Sequence, residues 1–209
     1  MLIPLHTLVQ KYNLKITGVL HIGAHECEEK AAYNDEGVND VNIIWLEANE
    51  NLVKQNINPK VRIYQAVVSD ENNKLVDFMV TNNGQSSSIL EFGTHKDSYP
   101  NIIETQRIPL KTTTIDTFFE KHPEIDKKPI NFLNIDIQGA ELQALKGMTG
   151  LLPQLDALYL EVNTAEVYKG CALLPEIDAW LLDKEFVRVE ICMTDAFWGD
   201  ALWIKALRS

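Results

Sequence analysis

Short, unbroken apolar runs alternate along this chain with amphipathic segments. A strand buried on both faces needs such a run, whereas a helix lying on a sheet needs only one apolar stripe. The alternation therefore calls for a parallel sheet covered by helices on both sides. The runs are residues 18–23 (GVLHIG), 42–48 (NIIWLEA), 61–68 (VRIYQAVV), 130–137 (INFLNIDI), 157–162 (ALYLEV), 186–193 and 201–206 (ALWIKA). Between them, residues 26–34, 49–57, 116–121, 140–148 and 176–185 have helical patterning, and residues 1–17 form a helical extension ahead of the first strand. The last two runs are only seven residues apart, too close for a crossover helix, so they are expected to close the sheet as an antiparallel pair. After the third run the period changes. Leu75 to Thr81 alternates like a ribbon, Asn82-Asn83-Gly84 is turn chemistry, and the chain returns through Gln106 to Thr112, which reads as an insertion over residues 70–112. The expected fold is one doubly wound α/β domain over residues 1–209, with a mostly parallel seven-stranded sheet and an inserted ribbon after the third strand.

Charge and cysteine content narrow the partners. Nineteen Lys and Arg stand against 30 Asp and Glu, a formal net charge of −11. Such a chain repels phosphate backbones and anionic lipid, so neither nucleic acid nor membrane is an expected partner. No window reaches the roughly 18 apolar residues of a membrane span, and the first residues, MLIPLHTLVQKYNLK, lack the cationic lead and cleavage site of a secretory signal. Cys27, Cys171 and Cys192 are too few and too scattered for a disulfide framework or a zinc site, which fits reduced thiols in a cytoplasmic protein.

In a doubly wound sheet ligands bind beyond the carboxyl ends of the strands. The first strand runs into Gly23, where a backbone without a side chain can approach a ligand, but Glu26, Glu28 and Glu29 crowd the following turn and disfavour a pyrophosphate. The second ends at Glu47, placed to accept hydrogen bonds from ribose hydroxyls, although a solvated carboxylate would look the same. The fourth carries Asp136 within an apolar stretch, where an ionised carboxylate is costly without a partner or ligand. Gly139 and Glu141 follow in the turn to the next helix, and the fifth strand delivers Glu161 and Asn163 to the same edge. His21 reads as a hydrogen-bonded core residue. Ser86, Ser87 and Ser88 are pocket candidates in a loop that is equally readable as a flexible turn.

Four ordered pieces, GVLHIGAHECEE, IIWLEANENL, QAVVSD and INFLNIDIQGAELQALKGM, with TTTIDTFF and LYLEVN in their expected places, resemble the FkbM-type methyltransferases over about Gly18 to Ala206. The resemblance implies a Rossmann-like class I methyltransferase fold and S-adenosylmethionine as cofactor. By position it implies that Gly23, Ala24 and His25 approach the methionyl and ribose portion, and that Glu47 holds the ribose hydroxyls. Ala48, Ala66 and Val67 would flank the adenosine, and Asp136 would face the methionine or sulfonium region. Asp136 and Glu161 become the candidate catalytic groups, with His25 and His95 behind them. Ser87, Ser88, Glu141 and Asn163 fall on the acceptor side. Two positions depart from the pattern: His21 stands where an acidic residue is common, and Gln138 where Glu is usual. The implied reaction is O-methylation of a sugar, glycan or small metabolite, and a homodimer is compatible with it. Two other readings stay open on the residues alone: a divalent-metal-dependent hydrolase or transferase built on Asp136, Glu141 and Glu161, and a nucleoside-binding module without catalysis.

Overall fold

The computed structural model describes residues 1–206. Helix α1 (Leu5–Tyr12) precedes β1 (Val19–Ile22), α2 (Lys30–Asp35), β2 (Ile43–Glu47), α3 (Glu50–Asn56) and β3 (Arg62–Gln65). Then come β4 (Val67–Val68), β5 (Leu75–Thr81), α4 (His95–Ser98), β6 (Glu104–Thr113) and α5 (Ile115–Lys121). The chain continues through β7 (Phe132–Ile135), α6 (Glu141–Lys146), β8 (Ala157–Asn163), α7 (Leu174–Leu182), β9 (Phe186–Met193) and β10 (Trp198–Lys205).

Seven strands form one sheet in the order β3-β2-β1-β7-β8-β10-β9. All pairs are parallel except those of β10, which runs antiparallel to both β8 and β9. The order reverses between β1 and β7, and that reversal opens the crevice in which such sheets hold ligands. Each central strand is buried on both faces because its side chains alternate between two cores. Leu20 and Ile22 of β1 join one core with Phe118 of α5, Leu145 of α6 and Ile177 of α7, while Val19 points into the other with Leu8 of α1 and Tyr33 of α2.

Three differences from the sequence reading each have a local reason. The third apolar run is two strands: the Ala66 N–H makes the last bond to β2, and Val67–Val68 then leave to pair with β6. A second sheet, β4-β6-β5, results, so the inserted region shares its base with the end of the third run. Helix α2 starts at Lys30 instead of Glu26, because His25 and Cys27 hold φ of 43° and 58°, which a right-handed helix does not accommodate. Strand β10 begins at Trp198, earlier than read, and so brings Asp200 into register with Glu161.

The insertion packs back on the main sheet's edge. Met79 and Phe92 form a small core with Val167, Tyr168 and Cys171 of the segment after β8. That contact sets the insertion over the carboxyl ends of the strands.

Candidate active site

The turn after β1 is built on a bare backbone. Gly23 has φ of 91°, and an added Cβ there would lie 1.8 Å from the Asp136 carbonyl oxygen, so no side chain fits. The Gly23 and Ala24 N–H groups both donate to the Leu46 carbonyl, at 2.9 and 3.0 Å, which ties this turn to the end of β2. At that end the Glu47 carboxylate accepts from the His25 N–H at 2.9 Å and the Asn49 N–H at 2.8 Å. Burial raises the Glu47 pKa while these backbone donors oppose the rise. Each oxygen keeps a second lone pair for a ligand hydroxyl.

The turn after β7 is strained as well. Asp136 follows the last residue of the strand, and Gln138 and Gly139 take φ of 57° and 101°. Glu141 clamps this turn from below: its Oε1 accepts from the Ile137 N–H at 3.1 Å and the Gly139 N–H at 3.0 Å. Gln138 therefore projects over the strand ends, and its Nε2 donates to Asp136 Oδ1 and Glu161 Oε2, each at 2.6 Å. Its Oε1 accepts from the Tyr168 hydroxyl at 2.6 Å. Next to Glu161, Asp200 accepts from the Tyr159 hydroxyl and the Leu2 N–H, each at 2.5 Å.

The insertion closes the far side. The Ser88 hydroxyl donates to the Gln138 carbonyl at 2.8 Å, and the Ser87 hydroxyl accepts from the Thr81 N–H at 3.1 Å. His95 lies stacked on Phe92 at 4.4 Å, its Nε2 3.3 Å from the Ser86 hydroxyl, and burial lowers its pKa. Trp198 donates to the Tyr99 hydroxyl at 2.9 Å.

One cavity of about 630 Å³ connects these groups. Gly23, His25, Glu47, Ala48, Ala66 and Val67 wall one end, and Ser86 to Ser88, His95, Tyr99 and Trp198 the other, with Asp136 and Glu161 between them. Its volume is in the range of small-molecule sites. Three of the residues that the resemblance places at the site are outside its wall. Ala24 is buried behind the turn, Glu141 is the clamp just described, and Asn163 is fully buried with neither end of its amide hydrogen-bonded. His21 is a core group that bonds the Tyr33 hydroxyl at 2.9 Å and packs on Trp45, with burial lowering its pKa to about 4. It nevertheless reaches the cavity floor. The sequence reading does not reach Asp200 or Tyr168, and it reaches Gln138 only as a departure from the family pattern. For Asp200, the carboxylate just before the final apolar run was the available signal.

The carboxylates do not converge as ligands for a cation. Glu141 turns into backbone, and the Gln138 amide lies between Asp136 and Glu161, presenting hydrogens where an ion would need lone pairs. Among the described residues no group of three or more His, Cys, Asp and Glu is placed to hold a metal ion. The metal-dependent reading is thus opposed by the geometry. Burial pushes the Cys27 thiol up to about 12, which opposes its ionisation to the nucleophilic thiolate.

Burial also pushes the Glu141 carboxyl up to about 7 from its ordinary 4.5. The folded chain then holds this proton more tightly than the unfolded one. The stabilising contribution is full below pH 4.5 and is lost as pH rises through about 7. Glu141→Gln is expected to remove this part of the slope, at most about 1.4 kcal/mol per pH unit, in urea unfolding followed across that window.

The Methyltransferase FkbM domain profile matches residues 19–188. No curated protein matches the chain at a significant level. Among solved structures, magnesium protoporphyrin IX methyltransferase from Synechocystis PCC 6803 with bound SAM is 10% identical with a TM-score of 0.50, covering 96% of this chain and 76% of that one. TrmK of M. capricolum, in complex with S-adenosyl-homocysteine, is 11% identical with a TM-score of 0.50, covering 95% and 67%. These likenesses show the fold, and the profile spans most of the sheet and the turns that wall the cavity. The chain belongs to the FkbM family of S-adenosylmethionine-dependent methyltransferases.

Proposed function

We propose that the protein methylates a hydroxyl group on a sugar, glycan or other small metabolite. The observation that carries this reading is a continuous cavity with two unlike ends and a pair of carboxylates at their junction. The end formed by Gly23 and Glu47 fits a nucleoside: the glycine leaves room for close approach, and the carboxylate accepts from vicinal hydroxyls. S-adenosylmethionine, when bound, supplies a methyl group on a sulfonium that needs no further activation. The chain's own task is to align an acceptor oxygen and receive its proton. Asp136 and Glu161 are the groups for that task, and a hydroxyl acceptor is the one that needs them. Ala48, Ala66 and Val67 give the adenosine an apolar wall, and Ser87 and Ser88 face the acceptor.

A nucleoside-binding module without catalysis is the poorer reading, because the cavity continues past Asp136 to Ser86, His95 and Tyr99 and so leaves space for a second molecule. The acidity of the chain favours a neutral or cationic acceptor over nucleic acid or lipid. The three unpaired cysteines fit a reducing compartment such as the cytoplasm.

Calorimetric titration with S-adenosylmethionine and with its demethylated product tests the cofactor end. The wild-type protein is expected to bind both, and Glu47→Ala to bind roughly 10- to 100-fold more weakly, the range for losing hydrogen bonds to a charged group. Retained affinity in the variant removes Glu47 from the ribose role, and no binding by the wild type overturns the reading. Mass spectrometry of hydroxylated sugars incubated with enzyme and cofactor then reads the acceptor as a gain of one methyl group.

A further inference from the structure

Gln138 makes three hydrogen bonds of 2.6 Å, two donated by its Nε2 and one accepted by its Oε1. An amide has two hydrogens on one side and lone pairs on the other. Turned over, it would set its oxygen against the Asp136 carboxylate, which as the free base has no hydrogen to offer. The backbone at Gln138, at φ of 57°, is in a region that a non-glycine residue adopts only under outside constraint, here the Glu141 clamp below and Ser88 above. The two carboxylates joined by this amide stand in unlike surroundings. Asp136 is exposed to the cavity, whereas Glu161 is only 4% exposed and pairs across the sheet with Asp200.

We propose that Gln138 is a positioning residue that holds Asp136 and Glu161 in unlike protonation states, with a proton resident on Glu161 and Asp136 kept as the free base facing the cavity. The assignment of Asp136 as the base rests on the methyl-transfer reading; the placement of the proton does not. Burial raises the Glu161 carboxyl well above the usual range, and the neighbouring charges of Asp136, Glu141 and Asp200 raise it further. Burial raises Asp136 too, and the charge of Asp200 adds to the rise, but hydrogen bonds from Glu161 and Gln138 pull it back. Tyr168, which faces the pair from the segment after β8, and Tyr159 of β8, which faces Asp200, are raised by burial and stay neutral donors. With Glu161 protonated, Asp136 Oδ is the member of this pair that takes the proton leaving an acceptor hydroxyl, and the proton departs from there through the cavity.

Infrared difference spectroscopy of the full chain tests this without an acceptor. The wild type is expected to show, besides the Glu141 carboxyl, a protonated-carboxyl band that persists well above the ordinary carboxylate range. Glu161→Gln is expected to abolish that band. Gln138→Leu removes the donor that favours ionised Asp136, so the component absent in Asp136→Asn is expected to gain its proton at a pH about one unit higher or more. Should the leucine variant not fold, Gln138→Glu is the nearly isosteric alternative and is expected to add a second protonated-carboxyl band, because three carboxylates in this corner cannot all ionise. No persistent band in the wild type, a band indifferent to Glu161→Gln, or an Asp136 midpoint unmoved in a folded Gln138→Leu overturns the proposal. Failure to bind S-adenosylmethionine would instead sink the methyl-transfer reading and leave the infrared result standing.

Discussion

Gly23→Ala is expected to lower stability by at least about 3 kcal/mol and to abolish cofactor binding in whatever folded fraction remains. The methyl carbon would have to occupy a point 1.8 Å from the Asp136 carbonyl oxygen, and backbone cannot swing aside as a long side chain can. The position also holds φ of 91°, which costs an alanine further energy. Relief would require β1 and β7 to separate at their carboxyl ends, yet the Asp136 N–H bonds the Ile22 carbonyl at 2.9 Å there. The same movement would carry off the Gly23 and Ala24 bonds to Leu46 and tilt Asp136 away from Gln138. Urea unfolding reads the stability loss, and calorimetry on the folded protein reads the binding loss. A variant within 1 kcal/mol of wild type that still binds S-adenosylmethionine would show that the turn is far softer than its contacts imply.

Much of this arrangement is legible in the sequence because buried strands need unbroken apolar runs, and carboxylates that end such runs are conspicuous. Glu47, Asp136 and Glu161 are readable for that reason, and the topology brings all three to one cavity. The direction in which a side chain turns at a bend is not readable. Glu141 follows the Asp136 turn and looks equally suited to the cavity, but the two backbone N–H groups at 3.1 and 3.0 Å claim it. Asp200 is hidden by the glycine before it, since Trp198-Gly199-Asp200 reads as the end of a turn. Strand pairing with β8 decides otherwise. The split of the third apolar run at Ala66 is likewise invisible to periodicity, because both halves are apolar and only the partner strand changes. Gln138 is legible as a departure from a charged position. Its meaning emerges only with the tyrosine hydroxyl on one side and two carboxylates on the other.

Asp136→Asn is expected to reduce turnover of a hydroxylated acceptor by roughly 100- to 10,000-fold, the span usual for losing a general base. The replacement keeps shape and lets the side chain go on contacting Gln138, so folding and cavity volume should change little. What disappears is the carboxylate that can accept the acceptor's proton. Affinity for S-adenosylmethionine, measured by calorimetry on the same protein, is expected to fall by less than about 10-fold, since one screened charge facing a cation in an open cavity contributes little over a kcal/mol. The separation of the two effects is the diagnostic. A large loss of affinity with normal turnover at saturation would make Asp136 a cofactor ligand, and unchanged turnover would move the base elsewhere. The acidic limb of the wild-type rate profile carries the same information with a fixed sign. Asp136, its pKa raised by its surroundings, must be ionised to act, so activity rises with pH through a midpoint above the ordinary carboxylate value of 3.8. In the asparagine variant that limb is expected to vanish along with most of the rate.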